Sequence, residues 1–183
     1  MQNSLLFLIK TVSDLYLLTY LLRFILQWVR ADYYNPLAQF VLRVTNPLVV
    51  PARRLLPSAG GIDLPTLVVL IVLQALTTWL LVALASLAAP IPIAWFALYV
   101  VLRLISLTLW FYLVAILIYV ILSWVGQRQY SPVGAVLGEL VEPLLRPARR
   151  LLPPIAGLDL APLLVLVLIQ ATIIALPLPW FLR

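Results

Sequence analysis

Pro51-Ala52-Arg53-Arg54-Leu55-Leu56-Pro57 returns unchanged as Pro147-Ala148-Arg149-Arg150-Leu151-Leu152-Pro153, at an offset of 147 − 51 = 96. Held at that offset without a gap, the stretch from Trp28 to Gln74 matches 20 of 47 positions. The pairs include Trp28 with Trp124, Tyr34 with Tyr130, Pro36 with Pro132, Pro47 with Pro143, Gly61 with Gly157, Asp63 with Asp159 and Gln74 with Gln170. The chain is therefore two copies of one unit, expected to divide as residues 1–92 and 93–183.

Composition decides the solvent. Of 183 residues 65% are apolar and the mean hydropathy is +1.15, against roughly 45–50% apolar in globular proteins. In hydrocarbon, backbone hydrogen bonds must close within helices or a barrel. The long unbroken apolar runs favour helices, because barrel strands alternate with period two. The chain has no Cys and no His, which excludes disulfides, thiolate nucleophiles and the usual ligands of zinc, haem iron and iron-sulfur clusters. No cofactor is expected. The net charge of +6, from 11 Arg and one Lys, belongs in such a chain to topology and anionic lipid rather than to nucleic acid.

The first span is expected at 4–29, longer than the ~20 residues needed to cross. It is not expected to act as a cleavable signal, because its apolar run is too long for an h-region and no small-residue cleavage site follows. Asn35-Pro36 and Ser131-Pro132 each read as the N-cap and first residue of a short helix. Asn46-Pro47 and Glu142-Pro143 are expected to end it, since Pro disfavours helix in the residue before it. Leu37, Phe40, Val41 and Val44 recur at helical spacing opposite Gln39 and Arg43, which suits an amphipathic helix lying in the interface. Gly134 and Gly138 stand at GxxxG spacing there, a weak signal outside a span.

The doubled motif is then expected as a Pro-punctuated turn, and Gly60-Gly61 as a chain break. Asp63 and Asp159 are expected to cap further spans at about 64–88 and 160–176. A third runs within 93–125. The fold class is thus all-α: four transmembrane helices as two parallel tandem repeats, each with a short interfacial helix and a Pro/Arg-rich loop. Arg30, Arg43, Arg53 and Arg54 follow the first span, Arg128, Arg146, Arg149 and Arg150 follow the third, and the middle turn at 86–92 carries no charge. By the positive-inside rule both loops face the cytoplasm and both termini lie outside.

Three sets of polar residues are candidates for chemistry. Lys10, Asp14 and Arg103 share one depth, because Lys10 and Asp14 are one turn apart and Arg103 aligns with Phe7. They read either as a buried ion or proton relay or as a carboxylate tethered by two snorkelling cations. Gln74 and Gln170 read as interhelical hydrogen bonds or as the lining of a polar path. Arg23 and Gln27 are expected to reach the headgroups. Arg53, Arg54, Arg149 and Arg150, with Arg43 and Arg146, either only hold topology or contact lipid phosphate, for which paired guanidinium groups beside a fixed turn are suited.

Trp, Tyr-x-Pro, Asn/Glu-Pro-Leu, Pro-Ala-Arg-Arg-Leu-Leu-Pro, Gly, Asp-Leu and a Gln one third into the next span together resemble the YggT family of small integral membrane proteins. The resemblance covers nearly the whole chain. It implies a bacterial cytoplasmic membrane and a link to osmotic tolerance and to cell division or envelope organisation. It brings no catalytic residues. The expectation is a non-enzymatic scaffold or anionic-lipid-engaging factor, alone, as a homo-oligomer or with a membrane-protein partner. The alternative is a small oligomeric ion or solute channel.

Overall fold

The computed structural model describes residues 2–29, 34–58, 61–85, 92–124, 132–152 and 159–182. Ser131, Arg30, Arg128, Gly60, Gly157 and most of the middle turn lie outside the described residues. The helices are α1 Gln2–Trp28, α2 Pro36–Leu55, α3 Leu64–Leu84, α4 Ile93–Trp124, α5 Pro132–Leu151 and α6 Ala161–Ala175. Within the first copy α1, α2 and α3 pack on one another, and within the second α4, α5 and α6 do the same. The copies meet chiefly along α3 and α4, with a lighter contact between α1 and α4.

Among the described residues three helices are long and apolar enough to cross a bilayer: Ser4–Trp28, Leu64–Leu84 and Ile93–Trp124. The apolar α6, at 15 residues, is shorter than the ~20 residues a ~30 Å hydrocarbon core calls for. The side-chain arrangement on α3 inverts that of a water-soluble helix. Its buried positions include Thr66, Gln74 and Thr78, while Val68, Ile71, Val72, Leu76 and Trp79 face outward. Polar side chains turn inward where the surroundings offer them no hydrogen bonds, and apolar ones cover the outside at no cost.

The expectation that Asn46-Pro47 and Glu142-Pro143 end the short helices is corrected. Helix α2 runs through Pro47 and Pro51, and α5 through Pro143 and Pro147, so each has 20 residues and contains the first five residues of the doubled motif. An interior proline forfeits a backbone hydrogen bond and crowds the carbonyl four residues back, at ~3 kcal/mol or more. Two features offset that here. Pro47 and Pro51 are four apart and both exposed, so the orphaned carbonyls share the outer side of the helix, away from the packed stripe. The opposite stripe of Ala38, Val41, Thr45 and Val49 is buried and continuous across both prolines. Tertiary burial along that stripe overrides the local preference of the residue before each proline.

The ends of the elements obey local rules more closely. Asn35 is extended at ψ 134° and its side chain accepts from Leu37 N at 2.9 Å, with Pro36 as first helical residue. Leu56 turns extended and its N–H still donates to Ala52 O at 2.9 Å. Gly61 takes φ +79°, a left-handed conformation that favours glycine. Asp63 caps α3, accepting from Thr66 N at 3.4 Å. At α6 the expectation shifts by one residue: Leu160 holds the N-cap position, and Asp159 accepts from Ala161 N at 3.0 Å.

Three apolar clusters hold the bundle. One joins Leu17, Tyr20 and Leu26 of α1 to Val49, Leu70 and, across the copies, Val136 and Leu140 of α5. The second joins Ile116 and Tyr119 to Val141, Leu145, Val165 and Ile169. At the opposite end Leu6, Leu81 and Leu102 close against Leu178 and Leu182 of the tail after α6.

Candidate functional site

The charged side chains collect in two regions, at opposite ends of α1. At the end where α1 gives way to α2, Arg23 is only 3% exposed, so the expectation that it reaches the headgroups is corrected. Its Nη1 donates to Thr45 Oγ1 at 2.7 Å and to Asn46 Oδ1 at 2.9 Å, and its Nε lies 3.7 Å from Asp63 Oδ2. Asp63 is fully buried and also receives Arg53 Nη2 at 3.1 Å and Thr66 Oγ1 at 2.6 Å. A buried carboxylate without partners would cost several kcal/mol, and these bonds offset that cost. The same bonds tie α1, α2 and the start of α3 into one elbow.

The second copy has its own elbow with a different cast. The offset of 96 carries Arg23 to Tyr119, Asn46 to Glu142, Arg53 to Arg149 and Asp63 to Asp159. Arg149 stands at the centre: Nε to Asp159 Oδ2 at 2.8 Å, Nη1 to Glu142 Oε2 at 2.8 Å, Nη2 to Tyr119 OH at 3.3 Å. Burial alone pushes the Arg149 guanidinium down, but its hydrogen bonds to Asp159, Glu142 and Tyr119 outweigh that and hold its pKa above the ordinary arginine value. The first elbow has two cations around one anion, and the second has one central cation, Arg149, between two anions, with the exposed Arg146 flanking Glu142 at 3.8 Å.

The first arginine of each doubled motif is thereby committed to a carboxylate, although the Arg53 side chain stays 47% exposed. Arg54 and Arg150 are exposed and form no ion pair among the described residues. Arg43 is likewise exposed on α2, and Arg146 is mostly exposed with its Nε 3.8 Å from Glu142. Arg53, Arg54, Arg149 and Arg150 also fall in the last turns of their helices, where the dipole favours positive charge.

Towards the other end of α1 the residues matched in depth do come together. Lys10 Nζ lies 2.7 Å from Asp14 Oδ2, and Arg103 Nη2 lies 2.8 Å from Asp14 Oδ1. Arg103, 3% exposed on α4, also donates to Thr78 Oγ1 at 3.1 Å and Thr77 Oγ1 at 3.3 Å. It joins three helices and links the two copies. Gln74 and Gln170 are not brought together: Gln74 is 1% exposed and neither amide atom has a hydrogen-bond partner, whereas Gln170 is exposed.

Sequence reasoning missed Arg23, Thr45, Thr66, Thr77, Thr78, Tyr119 and Glu142 as internal polar contacts. A signal was present in the repeat. Arg23 becoming Tyr119 while Asn46 becomes Glu142 is a paired exchange, a cation lost on one helix and an anion gained on the next.

Comparison with known proteins agrees with the doubled pattern. The CCB3/YggT family model matches residues 2–84 and again 98–180. The chain is 40% identical over 169 residues to the uncharacterised protein YggT of Escherichia coli, covering 92% of this chain and 86% of that one. It is 42% identical over 163 residues to an uncharacterised protein of Pseudomonas aeruginosa, covering 89% and 83%. An uncharacterised Vibrio alginolyticus protein is 41% identical over 169 residues, covering 92% and 91%. No solved structure matches. Matched twice by one family model and aligned with YggT over nine-tenths of its length, this chain belongs to the CCB3/YggT family.

Proposed function

We propose that the protein is a non-enzymatic membrane scaffold that grips anionic headgroups through Arg54, Arg150, Arg43 and Arg146. It resides in a bacterial cytoplasmic membrane and serves osmotic tolerance and envelope or division organisation. In this reading α1, α3, α4 and α6 cross the bilayer in two parallel repeats, with local thinning serving the short α6. The amphipathic α2 and α5 lie at the cytoplasmic face and the termini lie outside.

One observation carries it: the division of labour within each Arg-Arg pair. Arg53 and Arg149 are bound by Asp63 and Asp159, while Arg54 and Arg150 extend outward from the same helical turns. An arginine needed only for internal pairing would not require an exposed neighbour in both copies, and each basic residue near an anionic surface contributes about 1 kcal/mol of attraction. The test is reconstitution in nanodiscs of mixed anionic and zwitterionic lipid, followed by analysis of the lipid held by the protein. Replacing Arg43, Arg54, Arg146 and Arg150 by Gln is expected to abolish anionic enrichment on the motif side while unfolding stays unchanged. Undiminished enrichment refutes the proposal.

A second reading, a small oligomeric ion or solute conduit, draws on Lys10, Asp14 and Arg103 beside a cavity of ≈180 Å³. It requires flux in proteoliposomes that Asp14→Asn abolishes. No flux under any gradient rejects it.

A further inference from the structure

Between α1 and α4, the equivalent first helices of the two copies, runs a groove of ≈440 Å³. Leu15 and Leu18 form one wall, Trp110, Val114 and Ile118 the other, and Leu137 of α5 also lines it. The wall residues from Leu107 to Ile118 span 11 helical steps, about 16 Å at 1.5 Å per residue. That is close to half of a ~30 Å hydrocarbon core, the depth of one leaflet.

The groove has a polar head. Lys10 and Asp14 line its upper end and also line the adjoining ≈180 Å³ cavity, into which Arg103 and Ser106 face. Leu107 and Trp110 border both compartments. The head carries Lys10 and Arg103 against the single carboxylate of Asp14, a surplus of one positive charge. Arg103 is spent on Asp14, Thr77 and Thr78, but the Lys10 side chain is one-quarter exposed, and an ammonium with three donors has bonds to spare beyond its contact with Asp14.

The geometry points to a binding site for one anionic phospholipid, its phosphate at Lys10 in the polar cavity and an acyl chain along the α1–α4 groove. The polar head at Lys10 lies 18 helical steps, about 27 Å at 1.5 Å per residue, from the end of α1 at Trp28 that adjoins the motif elbow, so it is separate from the headgroup contacts of Arg54 and Arg150. Charge complementarity selects an anionic lipid over a zwitterionic one, because burying net positive charge beside apolar walls favours a ligand that cancels it. Bound there, the lipid would fill the seam between the two copies.

Native mass spectrometry of the detergent-purified full chain tests this, with phosphatidylglycerol and phosphatidylcholine of matched acyl chains as probes. Phosphatidylglycerol is expected to be retained about tenfold more strongly, the scale of one charge-assisted contact. Lys10→Gln should remove that preference and Lys10→Arg keep it. Val114→Trp, which fills the groove without touching the charges, should expel both lipids. Repeated on a chain whose Arg43, Arg54, Arg146 and Arg150 are replaced by Gln, the effects of Lys10→Gln and Val114→Trp should be the same, so failure here and failure of the scaffold reading are distinguishable. Equal retention of the two lipids by the unaltered chain overturns the site. So does a Val114→Trp chain that still holds phosphatidylglycerol once Arg43, Arg54, Arg146 and Arg150 are replaced by Gln, or a photo-cross-linker at position 114 that joins two copies rather than lipid. Should Lys10→Gln fail to fold, the headgroup comparison on the unaltered chain and Val114→Trp decide.

Discussion

The two elbows occupy equivalent places and solve one problem with opposite charge arithmetic. In the first, the carboxylate of Asp63 is fully buried and must be surrounded: Arg23 from α1, Arg53 from α2 and Thr66 from α3 all reach it. In the second the surrounded group is the cation, Arg149, with Asp159 and Glu142 both about a third exposed. The retained element is the pair at Arg53/Asp63 and Arg149/Asp159, which fastens the end of an amphipathic helix to the start of the next apolar one. Its surroundings have drifted as a set. A buried ion pair is tolerated only when its remaining bonds are made, so replacing Arg23 by Tyr119 goes with the carboxylate at Glu142.

That comparison can be broken or sharpened, beginning with the largest effect. Asp63→Asn leaves Arg23 buried without a counter-ion and should cost about 3–5 kcal/mol, whereas Asp159→Asn should cost about 1 kcal/mol, since its site is wetter and Arg149 keeps Glu142. Chemical unfolding in detergent micelles measures both, and equal losses would end the distinction. Exchanging the first-helix residues should be just as unequal. Arg23→Tyr removes the buried guanidinium from Thr45, Asn46 and Asp63 and should cost about 2–3 kcal/mol, while Tyr119→Arg brings a cation to two carboxylates and should change stability by less than about 1 kcal/mol.

The glutamine pair extends the same reasoning. Gln74→Leu should stabilise the fold by about 1–2 kcal/mol, because it removes two buried groups that make no hydrogen bond, while Gln170→Leu should stay within about 0.5 kcal/mol. Thermal unfolding of the two variants side by side checks this. The smallest effect expected is with pH. The raised pKa of Arg149 contributes stability that is fully present below the ordinary arginine value and is lost only as pH climbs through the higher folded value. The share of stability removed by Arg149→Gln, about 1 kcal/mol, should therefore not vary between pH 6 and 9. A difference between the wild-type and variant unfolding curves that changed across that range would place the relevant proton elsewhere in the elbow.

How much was legible beforehand depends on the kind of contact. Lys10, Asp14 and Arg103 could be matched in depth because two are one turn apart and the third follows from the repeat, so their meeting at 2.7 and 2.8 Å required only that α1 and α4 be neighbours. The caps at Asn35 and Asp63 were equally local. Helix α2 was misjudged at Pro47 because the cost of an interior proline is visible along the chain and the buried stripe that offsets it is not. Arg23 was misplaced for the same reason: its distance from the end of its span suggests snorkelling, and only the approach of Thr45, Asn46 and Asp63 draws it inward.

From residue order alone came the duplication, the helical apolar character and the inventory of charges, since periodicity and composition are properties of the chain itself. Which charges those helices consume and which they leave outside was decided by packing. Arg53 and Arg54 are adjacent and chemically identical, yet successive residues on a helix point about 100° apart. One meets a carboxylate brought up by the next helix and the other meets the surroundings, a difference that exists only once α1, α2 and α3 have closed on one another.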